Sequence, residues 1–250
     1  MPNRPHPIST AFWTYVIPMI ATRAMRIGLA LFLLFIAGLA LAFMGGLMSS
    51  WFGDYALLGM RHFLVMLLVP VGAVLLSEMP IRDGITHRTL LYPLLGPVPR
   101  ATLAVVRIVV SSAILALGAG VLLLLVRVLL GDGLGFLPRE LLSVTLGAFA
   151  YGAMFGLVHL YNRRGLIVGL AVFFIFDMPL GTVPFAIRNL APSYHVGVIA
   201  NQQSVMELPI TFGQPATSVV MSALILLGIA VVFASAIAVG FTRKDLGELC

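Results

Sequence analysis

The sequence predicts an all-α integral membrane protein, a single transmembrane domain over residues 1–250, and three observations lead there. Of these residues, 60% are apolar and only 10% are charged, whereas soluble domains carry about 25% charged residues. Six runs have the length of roughly 20 apolar residues that a helix needs to cross a bilayer. The runs lack the period-two alternation of strands, and lipid admits only helices or closed barrels, so helices are predicted.

The six predicted transmembrane helices are separated by short polar segments. They cover about residues 27–48, 57–77, 104–130, 140–161, 165–187 and 216–241. Before the first of them, residues 8–26 place Phe12, Trp13 and Ile17 on one apolar face, with Arg26 beyond it. This pattern predicts an N-terminal interfacial helix lying along the membrane surface. The alternative is a plain juxtamembrane tail anchored by Trp13.

The arginines orient these helices, because Lys and Arg concentrate in cytoplasmic loops. With a cytoplasmic N-terminus, eleven of the 15 Lys and Arg residues fall inside. The four outside are Arg61, Arg127, Arg139 and Arg188. We therefore expect a multi-pass protein of the inner or plasma membrane with both termini cytoplasmic. Arg127 is expected to snorkel outward as an anchor, the alternative being a functional group in a pathway or interface.

The sequence offers little enzyme chemistry. It contains no GxxxxGK[ST] phosphate loop, no HExxH and no GxSxG, and its five histidines are spread over both predicted sides. Its one cysteine, Cys250, excludes a disulfide within the chain. The net charge of +6 comes from arginines at the edges of apolar runs, so we expect a lipid bilayer and not nucleic acid as its surroundings. No catalytic residue, metal site or cofactor on this chain is predicted.

Asp177 is the acidic residue that lies inside a predicted helix, late in the fifth, in AVFFIFDMPLG. A carboxylate in lipid costs ~2.5–3.5 kcal/mol on insertion scales, so such a group faces a cavity or a partner helix. One interpretation is a polar group in a pathway or a subunit interface. The other is an interfacial acid satisfied by the turn at Met178 and Pro179.

Two connections are more than simple turns. The cytoplasmic loop 78–103 contains a short predicted helix that lies across the inner ends of helices two and three. Pro80 starts this helix, and the prolines of GPVPR end it. Its apolar residues suit a groove on a cytoplasmic partner, or else it is a connector on lipid. The outer connection 188–215 is too long for a turn and too apolar for a free loop. We expect it to pack back onto the helices as one or two short dipping helices.

The loop resembles the one between the second and third membrane helices of type-2 ATP-binding-cassette (ABC) permeases. The matching residues are Glu78, Asp83-Gly84, Leu91, Pro93 and Pro97-Val98-Pro99-Arg100. It departs at Ile85-Thr86, where that family has Thr directly after Gly. The stretches APSYH at 191–195 and FTRKDL at 241–246 also resemble the family, and the layout of six helices matches nearly the whole chain.

The resemblance implies a permease subunit that works as a homodimer, or with a related permease, each copy docked on a separate ATPase subunit. ATP and Mg would be held by that partner, whose closure would push on residues 78–100 and on the interfacial helix. Export is implied by the family alone. The coupling residues implied are Glu78, Arg82, Asp83, Gly84, Arg88 and Arg100. The outer connection would gate the exit, with Pro192, Tyr194 and His195 in it.

Two other function classes fit parts of this pattern. A non-transporting membrane scaffold or assembly factor would share the layout without an ATPase. A channel is disfavoured because the helices carry few polar residues. They are Ser111, Ser112, Ser143, Thr145 and Asp177. So sparse a set suits an amphipathic, lipid-like or peptide cargo better than a free sugar.

Overall fold

The computed structural model describes residues 61–78, 99–129, 134–183, 186–201 and 217–243. Regular structure in these ranges is all helical, as the all-α prediction requires. Five helices are long and apolar enough to cross a membrane. The predicted helix over 27–48, the interfacial helix over 8–26 and most of the 78–103 loop lie outside the described ranges.

The membrane-length helices are those that hydropathy placed in the described ranges, with an additional short helix before the last of them. The six are α1 (Arg61–Glu78), α2 (Arg100–Leu129), α3 (Leu137–Tyr161), α4 (Gly165–Thr182), α5 (Pro192–Ala200) and α6 (Val219–Arg243). Short 3-10 turns, Leu134–Phe136 and Ala186–Leu190, precede α3 and α5. α2 begins just after Pro99, whose carbonyl accepts the Leu103 N–H at 3.0 Å, as suits a proline at a helix start.

α3 is the central helix and contacts each of the other five. Ala148, Gly152 and Gly156 recur every four residues along it and so form one smooth face. A β-carbon on Gly156 would lie 2.6 Å from Ile108 Cδ1 of α2 and 3.1 Å from Ile237 Cδ1 of α6. Small residues at this spacing let helix backbones approach closely in lipid, where burial itself drives little association.

Long helices that follow one another along the described chain alternate in direction. Gly240 near the end of α6 packs against Tyr161 at the end of α3, whereas Ile108 near the start of α2 packs against Gly156. We call the end where α2 stops the Arg127 end, and the end where α2 starts the Arg100 end. α1, α3 and α6 therefore start at the Arg127 end, and α2 and α4 finish there.

Two of the long helices contain a π-helical segment, Leu64–Leu68 in α1 and Val172–Asp177 in α4. Both segments contact α5. Met66 of the first packs on Gly197, where a β-carbon would overlap its methyl group, and Asp177 of the second is hydrogen-bonded to Ser193. π segments inside α-helices concentrate at functional sites, so α5, which both segments contact, is a candidate for such a site.

Burial differs strongly among the helices. The most apolar window of α3 is 56% buried, but those of α4 and α6 are each only 22% buried. Their exposed side chains are large and apolar, for example Phe174, Ile175, Leu224 and Val231. Such surfaces suit contact with lipid tails.

Candidate functional site at the Arg127 end

α5 lies within the predicted outer connection 188–215 and is almost wholly buried in the bundle. It begins at Pro192, whose missing N–H suits the first helical position. It ends at Asn201, which adopts the left-handed conformation at φ 56°, as helix C-termini commonly require. Tyr194 and His195 are buried in it. The three residues implied as an outer gate thus lie together on one short helix.

Asp177 joins three helices. Its Oδ2 accepts the Tyr151 hydroxyl of α3 at 2.5 Å, and its Oδ1 accepts the Ser193 backbone N–H of α5 at 3.2 Å. The Ser193 hydroxyl lies 3.2 Å from Oδ1 and 3.0 Å from the Asp177 carbonyl. These contacts come from α3 and α5, and not from the turn at Met178 and Pro179. The carboxylate is satisfied by Tyr151 and Ser193, at an interface between helices of the same chain.

The position of Asp177 also suits α5 electrostatically. The first N–H groups of a helix have no partner inside the helix, and the helix dipole makes that end partly positive. Ser193 is the second residue of α5, and its N–H points at the Asp177 carboxylate. The acid of one helix thus caps the start of another, and this stabilises a helix of only nine residues.

His195 connects α5 to α6 and to the preceding turn. Its Nε2 lies 2.9 Å from the Asn189 carbonyl, so the proton resides on Nε2. Nδ1 then accepts the Ser222 hydroxyl of α6 at 3.2 Å. Burial lowers the pKa of His195 below its usual value, and the bond to the Asn189 carbonyl opposes that shift in part. The site therefore favours the neutral imidazole.

Lower pH is expected to destabilise the protein through His195. Because the pKa of His195 is lowered on folding from its usual 6.5, stability is fully present above about pH 6.5 and declines as the pH falls below it. We would measure thermal unfolding in detergent at pH 7.5 and 5.5 for the natural chain and for His195→Gln. The variant should show a smaller drop between the two pH values. An equal drop in both proteins would contradict the expectation.

Further contacts fix α5 in place. The Ser143 hydroxyl of α3 donates to the Val196 carbonyl at 2.7 Å. The Tyr194 hydroxyl lies 3.3 Å from Thr217 Oγ1, just before α6. The Arg188 guanidinium stacks over the Tyr194 ring, 4.8 Å from its centroid, a favourable cation–π geometry. α5 is thus bonded to α3, α4 and α6 and packed on α1.

A second buried polar cluster lies at the same end and joins α1, α2 and α3. Glu140 Oε2 accepts Arg127 Nε at 2.8 Å, and its Oε1 accepts Arg61 Nε at 2.9 Å. The side chains of Arg127 and Glu140 are fully buried. The expectation that Arg127 snorkels outward is therefore wrong. Glu140 offers it a charged partner inside the bundle, and a paired buried guanidinium needs no water.

Sequence reasoning missed Glu140 as a site residue. The signal was present, because the short connection between α2 and α3 places Arg127 and Glu140 only 13 residues apart, on the facing ends of antiparallel helices. Of the polar residues expected along the helices, Ser112 has a buried hydroxyl without a hydrogen-bond partner among the described residues, whereas others are bonded. Ser111 and Thr145 donate to carbonyls of their own helices, at 2.9 and 2.7 Å.

The implied coupling residues are only partly within the described ranges. Glu78 ends α1 and Arg100 begins α2, both at the Arg100 end. Exposed Arg163, Arg164 and Arg243 lie at that end as well. Arg82, Asp83, Gly84 and Arg88 lie outside the described ranges.

Among the described residues, no three His, Cys, Asp or Glu side chains come together in a way that would hold a metal ion. A comparison with protein-family models finds none that matches this sequence. A search of curated proteins likewise finds no match. The function is therefore argued from the geometry and from the sequence resemblance.

Proposed function

We propose that this chain is the membrane-spanning permease subunit of an ABC transporter, an exporter that works as a dimer with separate ATP-hydrolysing subunits. The observation that carries the proposal is the placement of α5. The connection between the last two long helices folds back into the bundle, as a helix bonded to three others. It lies at the end opposite to Glu78 and Arg100, the described residues on either side of the segment whose sequence resembles a site of ATPase docking.

A transporter driven by ATP needs one end to which the ATPase subunit binds and another that stays closed until the ATPase acts. The Arg127 end suits closure, because α5 and the Glu140 cluster fill it with side chains that are hydrogen-bonded between helices. The Arg100 end suits docking. Glu78 and Arg100 flank the resembling loop there, and exposed Arg163 and Arg243 add positive charge to the same end. Basic surfaces attract acidic partners and steer their approach.

An amphipathic, lipid-like or peptide cargo suits this chain better than a free sugar. Several polar groups of the described helices are used within the bundle, as with Ser143 on the Val196 carbonyl and Tyr151 on Asp177. The remaining surfaces of the long helices are largely apolar. A hydrophilic cargo would need polar side chains to replace its water.

Purification of the tagged chain in mild detergent tests the proposal. An ATPase subunit should co-purify, with ATP hydrolysis in the same fraction. Glu78→Ala and Arg82→Ala should each lower the amount of bound subunit or its coupled hydrolysis by roughly tenfold, as for a charged anchor at an interface. Arg139→Ala is the matched control, since Arg139 is exposed at the opposite end and should change neither quantity.

The competing function is a membrane scaffold or assembly factor without a motor. It predicts that the chain purifies alone or with a partner that does not hydrolyse ATP. That outcome would overturn the permease proposal, and so would full ATPase recovery with both loop variants.

A further inference from the structure

α5 is held in the bundle by hydrogen bonds and close packing with its neighbouring helices. Ser143 of α3 and Ser222 of α6 each bond it through a buried hydroxyl, at 2.7 and 3.2 Å. A β-carbon on Gly147 of α3 would lie 3.1 Å from Val196 Cγ2, so the backbones of α3 and α5 are in close contact. Moving α5 would break contacts with several helices at once.

The last part of α4 is held much more loosely. We call residues Val172–Thr182 the arm. Phe174, Ile175 and Phe176 are consecutive and exposed, and the arm's buried residues are Phe173 and Asp177. Phe173 meets the Tyr151 ring edge-on, with centroids 6.2 Å apart. The Phe173 ring and the Asp177 carboxylate therefore attach the middle of the arm to the bundle, and Leu180 and Gly181 contact α5 beyond them.

The part of α4 before the arm is closely packed against α1 and α3, so the packing of α4 changes at a defined position. A β-carbon on Gly169 would lie 3.0 Å from Val74 Cγ1 of α1 and 3.4 Å from Phe155 Cδ1 of α3. The π segment starts at Val172, one turn later. A π segment interrupts the regular bonding of an α-helix, and Pro179 removes another backbone donor within the arm. These two features make Val172–Asp177 the natural bending point of α4.

We propose that the arm swings away from α3 and α5 as a unit while α5 stays seated, and that the Asp177 carboxylate is the latch that holds it shut. Leu180 of the arm packs against the cluster that Ala191, just before α5, forms with Tyr194 and Val198, so an open arm uncovers this cluster. The assignment of this opening to a transport cycle rests on the proposed function. The opening itself is a property of the chain alone.

Cysteine labelling measures the opening directly. In a Cys250→Ser background, Ala191→Cys supplies a reporter at a site that is 1% exposed beneath the arm. The purified chain in detergent is treated with a bulky polar maleimide. Adding Asp177→Ala should raise the labelling rate of this reporter by roughly tenfold or more, because three donors lose a charged acceptor. Thr182→Ala is the control, since its hydroxyl bonds only the Pro179 carbonyl inside the arm.

A second reporter separates the swing of the arm from loss of α5 or general unfolding. Ala200→Cys lies at the far end of α5 and is also 1% exposed. It should remain protected in the Asp177→Ala protein. Equal rates at Ala191→Cys with and without the latch, or faster labelling at both reporters, would overturn the proposal. Should Asp177→Ala fail to fold, Tyr151→Phe decides in its place, with a rise of a few fold expected at the first reporter alone.

A disulfide lock tests the link to transport separately. A β-carbon on Gly181 would lie 3.5 Å from Ser193 Cβ, within the range that a disulfide bridges. In the complex with its ATPase, oxidation of a Gly181→Cys, Ser193→Cys pair should stop cargo-coupled turnover, and a reductant should restore it. Undiminished turnover in the locked protein would overturn the role in transport while leaving the labelling result intact.

Discussion

Glu140→Ala is expected to lower the free energy of unfolding by about 3–5 kcal/mol, because it leaves two arginines without their shared carboxylate. Arg127 is fully buried and Arg61 is mostly buried. A guanidinium cannot discharge by losing its proton in a protein, so the positive charge persists inside the bundle. The cost is larger than for a surface ion pair, which contributes about 0–1 kcal/mol.

Thermal or denaturant unfolding in detergent measures this effect. Arg139→Ala is the control on the neighbouring residue, which is exposed, and it should stay within about 0.5 kcal/mol of the natural chain. Adding Arg127→Leu to Glu140→Ala should recover part of the loss, since one buried positive charge is removed. A Glu140→Ala protein as stable as the Arg139→Ala protein would show that the cluster does not stabilise the bundle.

Gly156→Leu is expected to be the second severe substitution, with a loss of at least about 1–3 kcal/mol from overpacking. The isoleucines of α2 and α6 that approach Gly156, Ile108 and Ile237, leave no room even for a β-carbon. A leucine must push both helices away from α3. The helix contacts in the half of the bundle nearer the Arg100 end then weaken together.

Two further proteins make that test specific. Gly118→Leu is the matched control, because nothing lies within 4 Å of a β-carbon at that position of α2, and it should leave the unfolding midpoint nearly unchanged. Ile108→Ala combined with Gly156→Leu should restore part of the stability by returning volume to the same place. Similar losses for Gly118→Leu and Gly156→Leu would mean that close packing at Gly156 does not explain the result, because leucine is itself a better helix former than glycine.

Hydropathy located the described membrane-length helices, because long apolar runs have few alternatives to a helix in lipid. Their ends were harder to predict. The fifth predicted helix extended to residue 187, but α4 ends at Thr182. Val183 is extended and precedes Pro184, and the residue before a proline avoids the helical conformation. Hydropathy responds to composition and not to this local backbone preference.

The candidate site was only partly predictable for a different reason. Asp177 could be singled out because a carboxylate in an apolar run must find partners. Its partners could not, since Tyr151 and Ser193 lie 26 and 16 residues away and meet it only through packing. The outward orientation predicted for Arg127 was wrong because a snorkelling argument treats one helix at a time and leaves out charged partners on its neighbours. The central place of α3 was indicated by the spacing of Ala148, Gly152 and Gly156, a pattern that hydropathy overlooks.

The Glu140 cluster has a consequence for biogenesis. An isolated charge in an inserting helix is costly, by up to ~2.5–3.5 kcal/mol where it lies at the helix centre. Arg127 and Glu140 lie on either side of one short connection, 13 residues apart, so they neutralise each other as soon as α2 and α3 enter the bilayer as a hairpin. Arg61, 79 residues before Glu140, is synthesised earlier and joins the same carboxylate. Glu140 is therefore synthesised after both Arg61 and Arg127, so its two positively charged partners are already present when it is made.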